Sequence, residues 1–341
     1  MIDEAVKILT EGKSPGRRHI QESIREILEG TASQVMMSAF LVGLRMKGEE
    51  PQDIIWAVKV MRDKALKINI PLKRGEAILD TCGTGGSRIK TFNVSTATAF
   101  VVAGCGVKVA KHGNRSASSL CGSADVLEFL GVNINAPAKR VELALRKIGI
   151  GFLYAPLYHS SLKFASPVRR ELKIRTLFNI LGPLCNPVGC THQLLGVYEK
   201  KLLPVIAQAL RGLNLKAAMV VCSQEGIDEI SITGKSFVQY LNRGKISGLI
   251  LRPRDFGKKQ AKVRDILGPS TVKESASLLK NILRGKDNGP CRDMVEMNAS
   301  CCLFLAGRVK NFKEGVKLAQ ESIDSGKAWK KFQDLKRFLE G

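Results

Sequence analysis

Through the first seventy positions apolar residues recur at helical spacing. His19 to Glu29 carries Ile20, Ile24, Ile27 and Leu28 on one face and closes on Gly30. Ser33 is placed to cap a second helix with Val35, Met36, Phe40, Leu41 and Leu44, ending near Gly48. Pro51 suits the first turn of a third, through Ile54, Ile55, Val58, Val60 and Met61. From about residue 76 the rhythm changes. Ala77–Asp80, Val107–Ala110, Leu194–Tyr198 and Ala217–Val221 read as strands, and Val94–Gly104, Ala124–Leu130, Lys139–Ile148 and Pro204–Arg211 as helices. Residues 229–252 read as short β segments around a Gly-containing turn. Residues 275–338 return to helices over Ala276–Leu283, Met294–Ala306, Phe312–Ser325 and Ala328–Leu339. The basic Arg252–Lys262 stretch reads as a solvated loop.

Such alternation predicts an α/β fold: a largely parallel sheet flanked by helices, with a smaller all-helical N-terminal domain. The expected boundaries are 1–72 for the helical domain and 73–341 for the α/β domain, with helices near 160–185 packing back on the helical one.

Composition narrows the setting. A chain of 341 residues with 44% apolar content can bury real cores. No apolar stretch is long enough to span a bilayer, and Met1-Ile2-Asp3-Glu4 lacks the basic start of a secretory signal. A cytoplasmic protein is expected. Its nine cysteines, an odd number with no Cys-x-x-Cys, read as free buried thiols, and its four histidines lack zinc-ligand spacing to any Cys pair. The net charge is +23, divided as +1 over residues 1–80 and +22 over residues 81–341. That excess favours anionic ligands. Scattered basic residues and only 6% aromatics offer little stacking surface for nucleic acid, so a solvated basic surface is the preferred reading.

Two stretches carry the chemistry. Asp80-Thr81-Cys82-Gly83-Thr84-Gly85-Gly86-Ser87 leaves a strand and leads to Asn93-Val94-Ser95-Thr96 at the start of a helix. Glycines let backbone N–H groups approach an anion, and a helix N-terminus adds its dipole and free donors. A turn with an ordinary Asn or Ser cap would show the same glycines. No Gly-Lys-Ser/Thr follows, which excludes a P-loop, and no Gly-x-Gly-x-x-Gly with a ribose-binding carboxylate is present. Lys111-His112-Gly113-Asn114-Arg115-Ser116-Ala117-Ser118-Ser119 then supplies cationic and hydroxyl donors at the end of the next strand, the edge where open α/β sheets bind ligands.

These blocks resemble those of the anthranilate phosphoribosyltransferase family. So do Gly122-Ser123-Ala124-Asp125-Val126-Leu127-Glu128, Arg175-Thr176 with Asn179-Ile180-Leu181-Gly182-Pro183-Leu184, and Gly226-Ile227-Asp228-Glu229. The resemblance runs in order over nearly the whole chain. It implies a homodimeric enzyme of tryptophan biosynthesis, with its site in a cleft between the two domains. That enzyme joins anthranilate to 5-phosphoribosyl 1-diphosphate, assisted by two Mg2+ ions. Carried over residue by residue, Gly83, Gly86, Ser87, Thr91, Asn93, Val94, Ser95, Thr96, Lys111 to Ser119 and Ser123 would hold the phosphoribosyl diphosphate. Gly83, Asn114, His159, Arg169 and Pro183 would meet anthranilate. Ser95 would touch one magnesium, and Asp228 with Glu229 the other.

Three departures stand out. Ser87 occupies a position where the family usually has Asp, so metal dependence or substrate affinity is expected to differ. His159-Ser160-Ser161-Leu162-Lys163-Phe164 replaces His-Pro-Ala-Met-Lys-His at the outer acceptor site, and Cys121 stands where Ser is frequent. Two competing readings remain: a phosphoribosyltransferase or nucleoside phosphorylase acting on another acceptor, and a nucleic-acid-binding relative that uses the charge excess.

Overall fold

The computed structural model describes residues 1–115 and 121–340. Four helices open the chain: α1 Ile2–Thr10, α2 Arg17–Glu29, α3 Gln34–Lys47 and α4 Pro51–Lys64. Their ends follow local chemistry. Gly30 closes α2 in the left-handed region (φ 76°), and Ser33 caps α3 by accepting the Met36 N–H (3.2 Å). Pro51 starts α4 while the Asp53 carboxylate accepts the Glu50 N–H (3.1 Å).

Seven strands form one sheet: β1 Ile78–Gly83, β2 Lys108–Gly113, β3 Ile150–Tyr154, β4 His192–Gly196, β5 Ala217–Ser223, β6 Ser236–Asn242 and β7 Lys245–Leu251. Their order is β3-β2-β1-β4-β5-β6-β7, parallel from β3 to β5 and antiparallel for β6 and β7. Arg243 (φ 47°) and Gly244 (φ 81°) join the last two strands, both left-handed as a two-residue hairpin requires. Helices α5 Val94–Gly104, α6 Ser123–Phe129 and α7 Ala138–Lys147 connect the first strands.

The side-chain period of two divides the interior. On β5, Ala217, Met219 and Val221 join a core under α5 and the C-terminal helices, whereas Ala218, Val220 and Cys222 face the opposite core. That second core also holds α2, α3, α4, the helix Leu202–Gly212 and the mid-chain residues Ala165, Val168, Leu177 and Leu181. Each fully buried Val or Met contributes about 1.5–3 kcal/mol of transfer free energy, so burial of Met219, Val220 and Val221 on both faces fixes β5 firmly.

Some readings of the sequence need correcting. Pattern alone does not single out the strand β3 or the helix α1. The Arg252–Lys262 stretch is not merely solvated: Phe256 is buried, and Lys258 ion-pairs with Asp293 and Glu296. An apolar ring and a paired cation anchor what charge alone marks as surface.

Candidate active site

Strand order reverses between β1 and β4, and at that switch the carboxyl ends of parallel strands leave a crevice. A cleft of about 870 Å³ opens there. It brings together Gly83, Gly86, Ser87, Thr91, Asn93 to Thr96, Lys111 to Arg115, Ser123, His159, Arg169, Pro183, Asp228 and Glu229. Ser116, Ala117, Ser118 and Ser119 lie outside the described residues.

One wall is made mostly of backbone. Gly83 ends β1 opposite Gly196 at the end of β4, and the 227–229 loop rests on both. A Cβ on Gly196 would sit 1.6 Å from the Asp228 carbonyl oxygen, and one on Gly83 would sit 2.4 Å from Asp228 Oδ2. Glycine is required at both positions by this close approach. The turn beyond is held to the same loop. Thr84 N–H donates to Gly196 O (2.9 Å), Gly85 N–H to Asp228 Oδ2 (3.1 Å), and Asp228 N–H to Ser87 Oγ (3.1 Å). The Ser87 hydroxyl in turn donates to Asp228 Oδ1. So Ser87, in place of a carboxylate, braces the acidic loop. Asn93 to Thr96 bring the N-terminus of α5, with its dipole, to the cleft.

Beneath this wall lies a charged network. Lys111 Nζ donates to Thr81 O (2.7 Å) and Ser95 Oγ (3.2 Å). Buried Asp80 accepts His112 N–H (3.1 Å) and Asn186 Nδ2 (2.9 Å), which ties β1 to the end of β2. Burial lowers the Lys111 ammonium and raises the Asp80 carboxyl, and each charge partly offsets the other's shift. Glu229 is raised well above the carboxylate range by desolvation and then by the Asp228 charge, while Ser95 N–H favours its ionised form. Among the described residues no three His, Cys, Asp or Glu side chains form a metal cage. Asp228, Glu229 and the Ser95 hydroxyl instead make a partial set of hard oxygens around strained negative charge. That set fits a magnesium-type ion completed by phosphate and water.

The opposite wall is made of side chains. His159 Nε2–H donates to Cys185 O (3.0 Å) and His112 Nδ1–H to Gly182 O (3.2 Å), with ring centroids 5.3 Å apart. Both imidazoles are neutral. Burial and then the His159 ring push His112 down to about 3, and burial lowers His159. Pro183, in the turn carrying those carbonyls, is buried, and its own carbonyl accepts Gln193 Nε2 (2.6 Å). Arg169 lies over Phe178 (5.7 Å), its charge disfavoured by burial, and no carboxylate among the described residues pairs with it. An unpaired, desolvated guanidinium facing a cleft suits an incoming carboxylate.

One expected phosphate donor is engaged elsewhere. The Arg115 guanidinium binds Asp125 (3.0 Å) and Glu128 (2.8 Å) on α6 and Tyr154 OH (3.2 Å). Asn114 instead orders its own loop, accepting Arg115 N–H at Oδ1 (2.7 Å) while its carbonyl accepts Ser123 Oγ (3.3 Å). The sequence reading assigns no role to other residues of the cleft: Arg175, Tyr198, Gly196, and Asp80 with Asn186 below. The available signals are Leu194-Leu195-Gly196, a glycine closing a strand, and the places of Asp80 and Arg175 inside blocks already quoted.

A helical bundle beside an α/β domain, with such a cleft, defines a class. The helical bundle domain of a glycosyl transferase family matches residues 3–65, and its a/b domain matches residues 75–329. A curated anthranilate phosphoribosyltransferase of Persephonella marina is 44% identical over 341 residues, covering 100% of both chains. The crystal structure of anthranilate phosphoribosyltransferase from Thermus thermophilus superposes with TM-score 0.93 at 37% identity, covering 99% of each chain. That from Saccharomyces cerevisiae in complex with PRPP and Mg gives 0.91 at 29% identity, covering 99% of this chain and 97% of the other. The chain belongs to the anthranilate phosphoribosyltransferase family.

Proposed function

We propose that this protein transfers the 5-phosphoribosyl group of 5-phosphoribosyl 1-diphosphate to the amine of anthranilate. The products are N-(5-phosphoribosyl)anthranilate and diphosphate, a step of tryptophan biosynthesis. The observation that carries this reading is the pairing of two unlike walls across one cleft. A glycine turn, a helix N-terminus and Lys111 face an unpaired Arg169 beside two neutral imidazoles.

In this reading Gly83, Gly86, Ser87, Thr91, Asn93 to Thr96, Lys111 to Asn114 and Ser123 hold the phosphoribosyl diphosphate. Arg169 forks onto the anthranilate carboxylate while His159, Pro183, Gly83 and Asn114 border its ring. Ser95, Asp228 and Glu229 hold magnesium, which neutralises the departing diphosphate. The chain's own tasks are to grip that leaving group electrostatically and to place the amine against the anomeric carbon. An aromatic amine loses its proton readily once bonded to carbon, so no strong base is assigned.

We take residues 1–72 and 73–341 as the two domains and the protein as a cytoplasmic homodimer. No helix among the described residues is long and apolar enough to cross a membrane. Among the described residues the nine cysteines form no disulfide. Val35 (76% exposed), Ala39, Val42 and Met46 (83% exposed) share one outward stripe on α3, an apolar face suited to a second copy.

Purified protein given anthranilate, 5-phosphoribosyl 1-diphosphate and Mg2+ should consume the fluorescence of anthranilate, and chelation should stop it. A folded protein that leaves the signal unchanged contradicts the assignment.

A further inference from the structure

The short helix Ser166–Leu172 ends at Lys173, a non-glycine residue in the left-handed region (φ 52°). Lys173, Ile174 and Arg175 then cross the cleft between the acceptor wall and the phosphate wall. Arg175 reaches furthest. Its guanidinium lies 3.8 Å from the centre of the Tyr198 ring, a stacking distance, and its Nη2 donates to Gly86 O at 2.5 Å. Glu199 stands 4.0 Å from its other terminal nitrogen. The carbonyl it binds belongs to the second of two consecutive left-handed glycines, Gly85 (φ 66°) and Gly86 (φ 76°).

The peptide that follows this pair turns about ψ of Gly86 and φ of Ser87, and on the glycine side no Cβ resists a flip. In a trans peptide the carbonyl and the following N–H point opposite ways, so a bond on Gly86 O also fixes the direction of Ser87 N–H. A flip would exchange donor for acceptor beside an anion. Tyr198 holds the guanidinium in plane, and the other end of the arginine is rooted in the crossing segment.

We propose that Arg175 is a positioning residue: it pins the Gly86–Ser87 peptide in one orientation and ties the phosphate turn to the segment that carries the acceptor wall. The proposal rests on the transfer reaction assigned above only for its kinetic arm. Arg175 therefore sets affinity for 5-phosphoribosyl 1-diphosphate through the geometry of the turn rather than through bare charge. A lysine, with no plane to stack on Tyr198, cannot replace it.

Three variants test this: Arg175→Ala, Arg175→Lys, and Arg170→Ala, an exposed arginine of the preceding helix, as the charge control. Arg175→Ala should raise KM for 5-phosphoribosyl 1-diphosphate about tenfold or more, with KM for anthranilate within about threefold and the melting midpoint within about 2 °C. Arg175→Lys should behave like the alanine variant, and Arg170→Ala like wild type. In ligand-free protein, the amides of residues 85–88 should exchange at least about tenfold faster in Arg175→Ala. The proposal is overturned by unchanged exchange, by full rescue with lysine, or by a KM within about twofold of wild type. Equal loss for both substrates together with lowered melting would mark a merely structural arginine and overturn it too. Should wild type itself fail to consume anthranilate, the assigned reaction falls, while the exchange comparison still decides the role of Arg175.

Discussion

The two walls of the cleft are built on opposite principles. The phosphate wall is backbone, packed so closely that Gly83 and Gly196 leave no room for a methyl group beneath the Asp228 loop. The acceptor wall is side chains: Arg169 on a short helix, lying over Phe178, and His159 held to the Cys185 carbonyl, with the His112 ring packed beside it from the end of β2. Backbone recognition suits a ligand whose charge is spread over many oxygens. Side-chain recognition suits an acceptor identified by one carboxylate and a flat ring.

Substitutions should therefore separate the walls. The largest effect is expected from Gly196→Ala, whose new methyl meets the Asp228 carbonyl and forces the acidic loop away. kcat/KM should fall by about a thousandfold or more, with a loss of about 1–3 kcal/mol in urea unfolding. Next comes Lys111→Met, which leaves Asp80 and Glu229 without their buried counter-charge. Steady-state kinetics should show affinity for 5-phosphoribosyl 1-diphosphate down about a hundredfold. On the other wall, Arg169→Gln should raise KM for anthranilate about thirtyfold and leave the other KM within about threefold.

The acceptor wall also carries a pH signature. His112 is neutral in the fold, with the His159 ring, the Lys111 ammonium and the Asp80 carboxylate around it, and its value is pushed down to about 3 from 6.5. A depressed imidazole stabilises the fold fully above the unfolded value. That contribution shrinks as pH falls below 6.5 and is gone near 3. Between pH 7.5 and 5 the protein should lose about 2 kcal/mol in chemical denaturation through this residue, and His112→Gln should flatten the slope. Smallest of all, Val35→Lys with Met46→Lys should yield monomers in light scattering while changing kcat/KM by about threefold at most, because the α3 stripe lies outside the cleft.

The same contrast decides what can be read from the chain alone. The α5 bounds, Val94–Gly104, emerge unchanged, because the Asn93–Thr96 helix start and the apolar run Ala99–Ala103 before Gly104 are local signals. The glycine turn and Lys111-His112-Gly113-Asn114 are likewise contiguous, and a strand end carries them together to the cleft. Arg175 bonds a carbonyl 89 positions away, and Asn186 reaches Asp80 across 106, distances that no local pattern spans. Arg115 resembles a phosphate donor because its neighbours are donors, yet Asp125 and Glu128 one helix later claim it. The strand β3 is hidden because Ile150-Gly151-Phe152-Leu153-Tyr154 follows α7 almost directly, and a run of five is too short for a period. Ser87 is visible in the sequence as a missing carboxylate. Its bond to Asp228 requires the fold.

Calorimetric titration of 5-phosphoribosyl 1-diphosphate with Mg2+ into the Lys111→Met and Arg169→Gln proteins tests the division of labour most directly. The account predicts binding largely lost in the first and kept near wild-type affinity in the second. Retention in Lys111→Met, or equal loss in both, would contradict it.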